Sequence, residues 1–173
     1  MIESHRLLIT PLGIHDCEEA RLIHNEPETL KWLSDTHPVS SEEQHVWFAS
    51  LQKSTTSRRY VARETHGLKM IGVFRFDRLD TQNHSAEVGL DIATNSRRQG
   101  FAREIYQTMI PYFFDELLLN RLSLITLENN LPAINLYEGL GFKREGVLRQ
   151  AFKRNLEFVN AYQYSLLESE YGN

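Results

Sequence analysis

The chain has 173 residues, is 41% hydrophobic and carries 19 lysines and arginines against 23 aspartates and glutamates, a formal charge of −4 at pH 7. That length buries one substantial core and is short for two, so a single domain over residues 1–173 is expected, and the acidic balance gives no electrostatic reason to bind nucleic acid. A lone cysteine, Cys17, excludes an internal disulfide, the first six residues lack the apolar run of a signal peptide, and no window is apolar for long enough to span a bilayer; a soluble cytoplasmic protein without a membrane partner is expected.

In chain order, Arg6 to Pro11 alternates in polarity and predicts a first strand, after which Ala20, Ile23 and Leu30 recur at helical spacing through an acidic stretch. Ser40-Ser41-Glu42-Glu43 has the hydroxyl and the carboxylate, three residues apart, of a reciprocal helix cap, which predicts a helix running to about Gln52. Tyr60 to Arg63, Met70 to Phe76 and Ser85 to Ile92, separated by polar turns, predict an antiparallel meander of three strands. The period then changes. Ile105, Met109, Phe113 and Leu117 mark a helix in which Pro111 removes a backbone donor and predicts a kink or an early break. Leu122 to Leu127 reads as a strand reached by a crossover, hence parallel, and Ala133 to Leu140 as a second amphipathic helix. Val147 to Phe152 and Phe158 to Leu167 predict a closing hairpin with its turn at Arg154-Asn155.

Arg97-Arg98-Gln99-Gly100-Phe101-Ala102 lies between the strand ending near Ile92 and the helix beginning near Arg103. Glycine permits close approach of backbone to a ligand, Ala102 leaves room, and free amides at a helix start attract anions; Arg97 and Arg98 would add mobile positive charge. No glycine-lysine-serine or glycine-lysine-threonine run and no G-x-G-x-x-G occurs, so neither a P-loop nor a dinucleotide fingerprint is present. The histidines at positions 5, 15, 24, 37, 45, 66 and 84 lack the paired spacing of a zinc helix, and no metal is expected.

Arg97-x-x-Gly100-x-Ala102 resembles the R/Q-x-x-G-x-G/A signature of the GNAT acetyltransferases, and Asn130-x-x-Ala133-x-x-x-Tyr137-x-x-x-Gly141-Phe142 resembles the family's second element. The ending from Gly146 through Phe152 to Phe158-Val159-Asn160 and Ser165-Leu166-Leu167 is similar to the branch that holds spermidine and ribosomal-protein N-terminal acetyltransferases. The resemblance implies an α/β (α+β) GNAT fold: a mixed central sheet with an antiparallel N-terminal meander, parallel strands that splay at the cofactor site, and helices on both faces. It implies transfer of an acetyl group from acetyl-CoA straight to a primary amine on a small molecule, such as a polyamine or a nucleotide-linked amino sugar, or on a peptide terminus.

The resemblance also distributes roles. Arg97, Arg98, Gln99, Gly100, Phe101 and Ala102 would hold the pyrophosphate, the backbone of Leu90, Asp91 and Ile92 the pantetheine arm, and Asn130 would contact the cofactor. Tyr137 would touch it too and act as general acid toward the departing thiolate. From the strand alternation, Glu87 is the candidate base for the ammonium proton, against the alternative of a merely solvated carboxylate. Glu18, Glu19, Glu26, Glu28 and Asp35 favour a cationic acceptor if they face the groove, and Trp32, Trp47 and Phe48 are either pocket wall or core. The alternative function is a non-catalytic acyl-CoA sensor on the same fold. Oligomeric state stays open, a homodimer being the commonest assembly of soluble oligomers.

Overall fold

A computed structural model describes residues 1–172. Its eight strands form one mixed sheet in the order β1-β2-β3-β4-β5-β6-β8-β7, with β1 Ile2–Glu3, β2 Leu7–Pro11, β3 Arg58–Glu64, β4 Met70–Asp80, β5 Ser85–Ile92, β6 Arg121–Leu127, β7 Lys143–Arg154 and β8 Glu157–Leu167. The expected meander is β3-β4-β5, antiparallel throughout, and the crossover makes β5 and β6 the one parallel pair among the described strands. The first strand falls where alternation put it, but a two-residue β1 pairs ahead of it, with Ile2 opposite Ile9; two residues carry no period to read.

Helices cover both faces, which is why the central strands bury both their sides. On one face α1 (Cys17–His24) and α3 (Ser41–Lys53) close a cluster of Leu12, Cys17, Ala20, Ile23, Leu51, Val61, Met70 and Ala93, and the short α2 (Pro27–Leu30) lies between those two helices in the chain. On the other, α4 (Phe101–Pro111) packs Ile105, Tyr106 and Met109, all inaccessible to solvent, against Ile71, Phe74 and Val88 of the sheet. Phe74 meets Tyr106 edge-on at 5.2 Å between ring centroids, and Phe76 stacks on Phe113 at 5.1 Å. Each such fully buried ring or aliphatic chain stabilises the fold by about 1.5–3 kcal/mol relative to exposure.

Local chemistry sets the ends of these elements. Ser40 accepts from the Glu43 amide at 3.2 Å while Glu43 accepts from the Ser40 amide at 2.8 Å, so α3 begins where the capping pattern requires. Pro111 closes α4, and residues 112 to 116 continue as a π-helical turn in which the Leu117 amide donates to the Tyr112 carbonyl at 3.1 Å. The proline has no N–H to donate to the carbonyl four residues back, which favours ending the α-helix there. The second crossover helix, α5 (Leu131–Glu138), starts earlier than Ala133 because Asn130 caps it.

Among the described residues no helix is long and apolar enough to cross a membrane, and no group of three histidine, cysteine or acidic side chains is arranged to hold a metal ion.

Candidate active site

Strands β5 and β6 pair only from Ser85 opposite Arg121 to Glu87 opposite Ser123, and beyond those pairs they part. Alternation along β5 decides which backbone groups face the gap. The Ala93 amide donates back to Ile71 on β4, whereas the Ala86 carbonyl accepts from Ser123 Oγ on β6 at 3.3 Å. Even-numbered residues of β5 therefore turn their peptide groups toward β6, and odd-numbered ones toward β4. Leu90 and Ile92 present backbone to the gap; the Ile92 carbonyl already accepts from Arg97 Nε at 3.0 Å. Asp91 differs from the expectation for its backbone, because its peptide groups are turned to Val73, its partner on β4. Its side chain is what faces the site.

Past β5, a 3-10 turn at Thr94–Ser96 leads into residues 97 to 100 and the start of α4. Arg98 at φ +60° and Gly100 at φ +84° are left-handed and flank Gln99, a backbone path that turns successive N–H groups to one side. The N–H groups of residues 98 to 103 find no acceptor among the described residues, and they sit on the positive end of an eleven-residue helix. The loop thus presents a run of unpaired amides at a helix start. Arg98 is exposed above it.

Arg97 is not mobile. Its guanidinium donates to the Glu28 carbonyl at 2.9 Å and to Thr29 Oγ1 at 2.6 Å, besides its bond to Ile92, so it fastens the loop to α2. Its charge is spent on three neutral oxygens of the fold, which corrects the expectation of a free cation there. Gln99 bonds back to the Asn95 carbonyl at 2.9 Å, and Phe101 is buried under the guanidinium of Arg6, 4.3 Å from its ring centroid.

Arg6 is a residue the sequence did not single out. It donates to the Gln99 carbonyl at 3.1 Å and to Glu104 at 2.6 and 2.7 Å, while the Ser4 hydroxyl and the Arg6 amide complete the carboxylate's shell. Burial pushes the Glu104 carboxyl up, but the bonds from Ser4 and Arg6 outweigh it and hold it below its ordinary value of 4.5. A carboxylate held down in this way contributes stability in full above its unfolded value and loses it as pH falls through the folded one. Glu104→Gln should therefore cost about 1 kcal/mol near neutrality, a figure reduced for screening because Arg6 is 41% exposed. The gap in melting temperature between Glu104→Gln and the parent should close below pH 4.5; an undiminished gap through acid would contradict this role for the ion pair.

On the α1/α3 face the parted strands floor a groove of about 690 Å3. Glu87, Asp91, Val73 and Arg75 come from the sheet, His24 from α1, Trp47 from α3, Trp32 and Asp35 from the connection between α2 and α3, and Phe152 from β7. Phe48 packs into the core instead. Arg75 lies across Gly89, where an added Cβ would meet Arg75 Nε at 2.0 Å, so glycine is needed for the guanidinium to lie there. Glu87 receives Arg75 at 3.5 Å and Arg78 at 3.0 Å, one guanidinium on each oxygen. Asp91 Oδ2 lies 3.1 Å from His24 Nδ1.

Of the five early acids, Asp35 alone lines this groove. Glu18 pairs with Arg21, Glu19 with Arg63 and Glu28 with Lys31, while Glu26 accepts from the Thr94 amide. Those four are occupied in holding helices and loops, so they do not make the groove a cation sink.

Tyr137, on α5, belongs to the opposite face. Its ring meets Tyr106 at 5.7 Å, Phe142 at 5.9 Å and Tyr164 at 6.3 Å. Burial raises the phenol above its ordinary value of 10; the Tyr106 hydroxyl and the Arg75 charge oppose that rise, and the Asp91 charge adds to it. Asn130 spends its side-chain oxygen on the cap of α5, accepting from the Ala133 amide at 3.4 Å, and Arg103 ties α4 to α5 through the Gly139 carbonyl at 2.7 Å.

Comparison with known proteins gives a consistent answer. Residues 6–143 match the family model described as the acetyltransferase (GNAT) domain. The chain is 30% identical to the uncharacterized N-acetyltransferase p20 of Bacillus licheniformis, over 97% of this chain and 96% of that one. It is 29% identical to the L-amino acid N-acetyltransferase AaaT of Escherichia coli, over 90% and 94% respectively. In structure it resembles the spermidine N-acetyltransferase from Vibrio cholerae, solved in complex with CoA and spermine, with a TM-score of 0.92 and 24% identity over 98% of this chain and all of that one.

Proposed function

The chain belongs to the GNAT acetyltransferase family, and we propose that it carries the acetyl group of acetyl-CoA across the gap between β5 and β6 to a small primary amine held in the groove on the α1/α3 face. The observation that carries this reading is the open cradle of amides at residues 98 to 103, set at the end of a strand that parts from its parallel neighbour. A diphosphate would rest on those amides, as anions do at helix starts. The pantetheine arm would then lie along Leu90 and Ile92 like an added strand, and Gln99, Phe101 and Ala102 would shape the cradle with Gly100.

Direct transfer needs a polarised thioester, a neutral nucleophile and a proton for the thiolate. A free N–H in the gap, that of Leu90, would polarise the carbonyl, and Tyr137 would give its proton to sulfur. A phenol raised above 10 stays protonated through neutral and mildly alkaline conditions, which is what an acid must do. The alkaline limb of kcat for this group should lie above pH 10; a fall in kcat centred below that value and absent in Tyr137→Phe would contradict the acid's environment.

For the acceptor, the groove favours one ammonium group accompanied by an anionic group over an extended polycation. Its carboxylates are committed within the protein, and Arg75 and Arg78 bring two guanidinium groups into the groove beside Glu87, which an anionic group on the acceptor would meet. A panel of amino acids, amino sugars, spermidine and N-terminal peptides, supplied with acetyl-CoA, should release free CoA thiol with at least one small amine. Tight acetyl-CoA binding with no thiol release from any of them would overturn the enzymatic reading in favour of a sensor.

A further inference from the structure

Resting on that transferase reading, we propose that His24 is the general base that takes the acceptor's ammonium proton and that Asp91 orients it. The two residues lie 67 positions apart, on α1 and β5, and meet at 3.1 Å between His24 Nδ1 and Asp91 Oδ2. An ionised carboxylate only accepts, so Nδ1 carries the hydrogen of that bond, and the neutral ring keeps its lone pair on Nε2. Nε2 has no partner among the described residues, and His24 lines the acceptor groove with a side chain 36% exposed. A histidine whose tautomer is fixed by a carboxylate and whose other nitrogen faces a substrate groove is arranged as a base.

Position favours His24 over Glu87. Both oxygens of Glu87 already receive guanidinium groups, and a proton placed there would displace Arg75 or Arg78. Asp91 instead sits between Leu90 and Ile92, whose peptide groups face the gap, and its charge reaches Tyr137. Base and acid therefore flank the one opening between β5 and β6 from opposite faces of the sheet.

The step balances. His24 Nε2 takes one proton from the ammonium, and the nitrogen lone pair then bonds to the thioester carbonyl carbon. The tetrahedral adduct expels sulfur, breaking the C–S bond, and the thiolate takes the Tyr137 proton. The second nitrogen proton restores the phenol, leaving amide, CoA thiol and one proton that His24 gives to solvent. The charged and titratable groups that line the groove with the ring are Asp91 and Glu87 of β5, Arg75 and Arg78 of β4, Arg59 of β3, Asp35 and His37 of the connection before α3, and Glu43 of α3.

The test is the pH dependence of thiol release in His24→Gln and Asp91→Asn, using the best amine from the panel, with imidazole 15N shifts recorded on the parent protein. His24→Gln should lower kcat about 10²–10⁴-fold, the range expected of a lost general base, and leave the KM for acetyl-CoA within about twofold. Its rate should climb in proportion to hydroxide, because the amine must then arrive already neutral. Asp91→Asn should lose about tenfold in kcat as the ring loses its orientation. In the parent the shifts of the neutral ring should show its single hydrogen on Nδ1. A His24→Gln enzyme with the parent's rate and pH profile, a variant that raises only the KM for the amine, or a neutral ring with its hydrogen on Nε2 would each overturn the assignment. Absence of turnover in the parent with every amine would instead count against the transferase reading, and the shifts would still judge the dyad.

Discussion

Tyr137→Phe should lower kcat by about 10²–10⁴-fold, the range for loss of a positioned acid, while the affinity for acetyl-CoA stays within about threefold. The substitution keeps the ring and its packing against Tyr106, Phe142 and Tyr164, so the helix that presents it has no reason to move. What disappears is the hydrogen that meets the thiolate, which develops after binding and therefore appears in kcat. Single-turnover release of CoA thiol, with calorimetric titration of acetyl-CoA in parallel, separates the two quantities. Undiminished turnover would remove Tyr137 from the chemistry.

Gly100→Asp should weaken CoA binding by at least about a hundredfold, and charge accounts for more of this than bulk. A Cβ at position 100 would meet only Arg6 Nη2, at 3.5 Å, so there is room for it. The left-handed φ of +84° costs a non-glycine residue roughly 1 kcal/mol, less for aspartate than for most residues. A carboxylate beside the open amides, however, competes for them and repels a diphosphate at a few ångströms. Gly100→Ala separates the two causes: it should lose tenfold or less. Equal losses in the two variants would show that backbone strain, and not electrostatics, governs the loop.

Sequence reading succeeded where chemistry is local. The Ser40–Glu43 cap, the proline that ends α4 and the meander from Arg58 to Ile92 are each specified by residues that are near neighbours in the chain. The proposed cradle is likewise local, being built from six consecutive residues between β5 and α4. The features it missed are made by distant partners. Arg6 meets Glu104 across 98 positions and His24 meets Asp91 across 67, and no period or motif connects them. A signal existed for one of these: on the groove-facing side of β5, Asp91 is a second carboxylate beyond Glu87, and a strand buried by helices on both faces seldom carries one without a partner. Arg97 was misjudged because its spacing fits an anion loop, whereas its bonds to Glu28, Thr29 and Ile92 depend on where α2 lies. The acidic stretch was ambiguous for the same reason, since only the fold decides that Asp35 alone of those five acids lines the groove.

The most direct measurement is a titration of 15N-labelled protein with CoA, following backbone amide resonances. Because the N–H groups of residues 98 to 103 lack acceptors in the fold, they should show the largest downfield shifts, and the effect should shrink sharply when pantetheine replaces CoA. Saturable binding that leaves those six amides unmoved would place the diphosphate elsewhere and contradict the account.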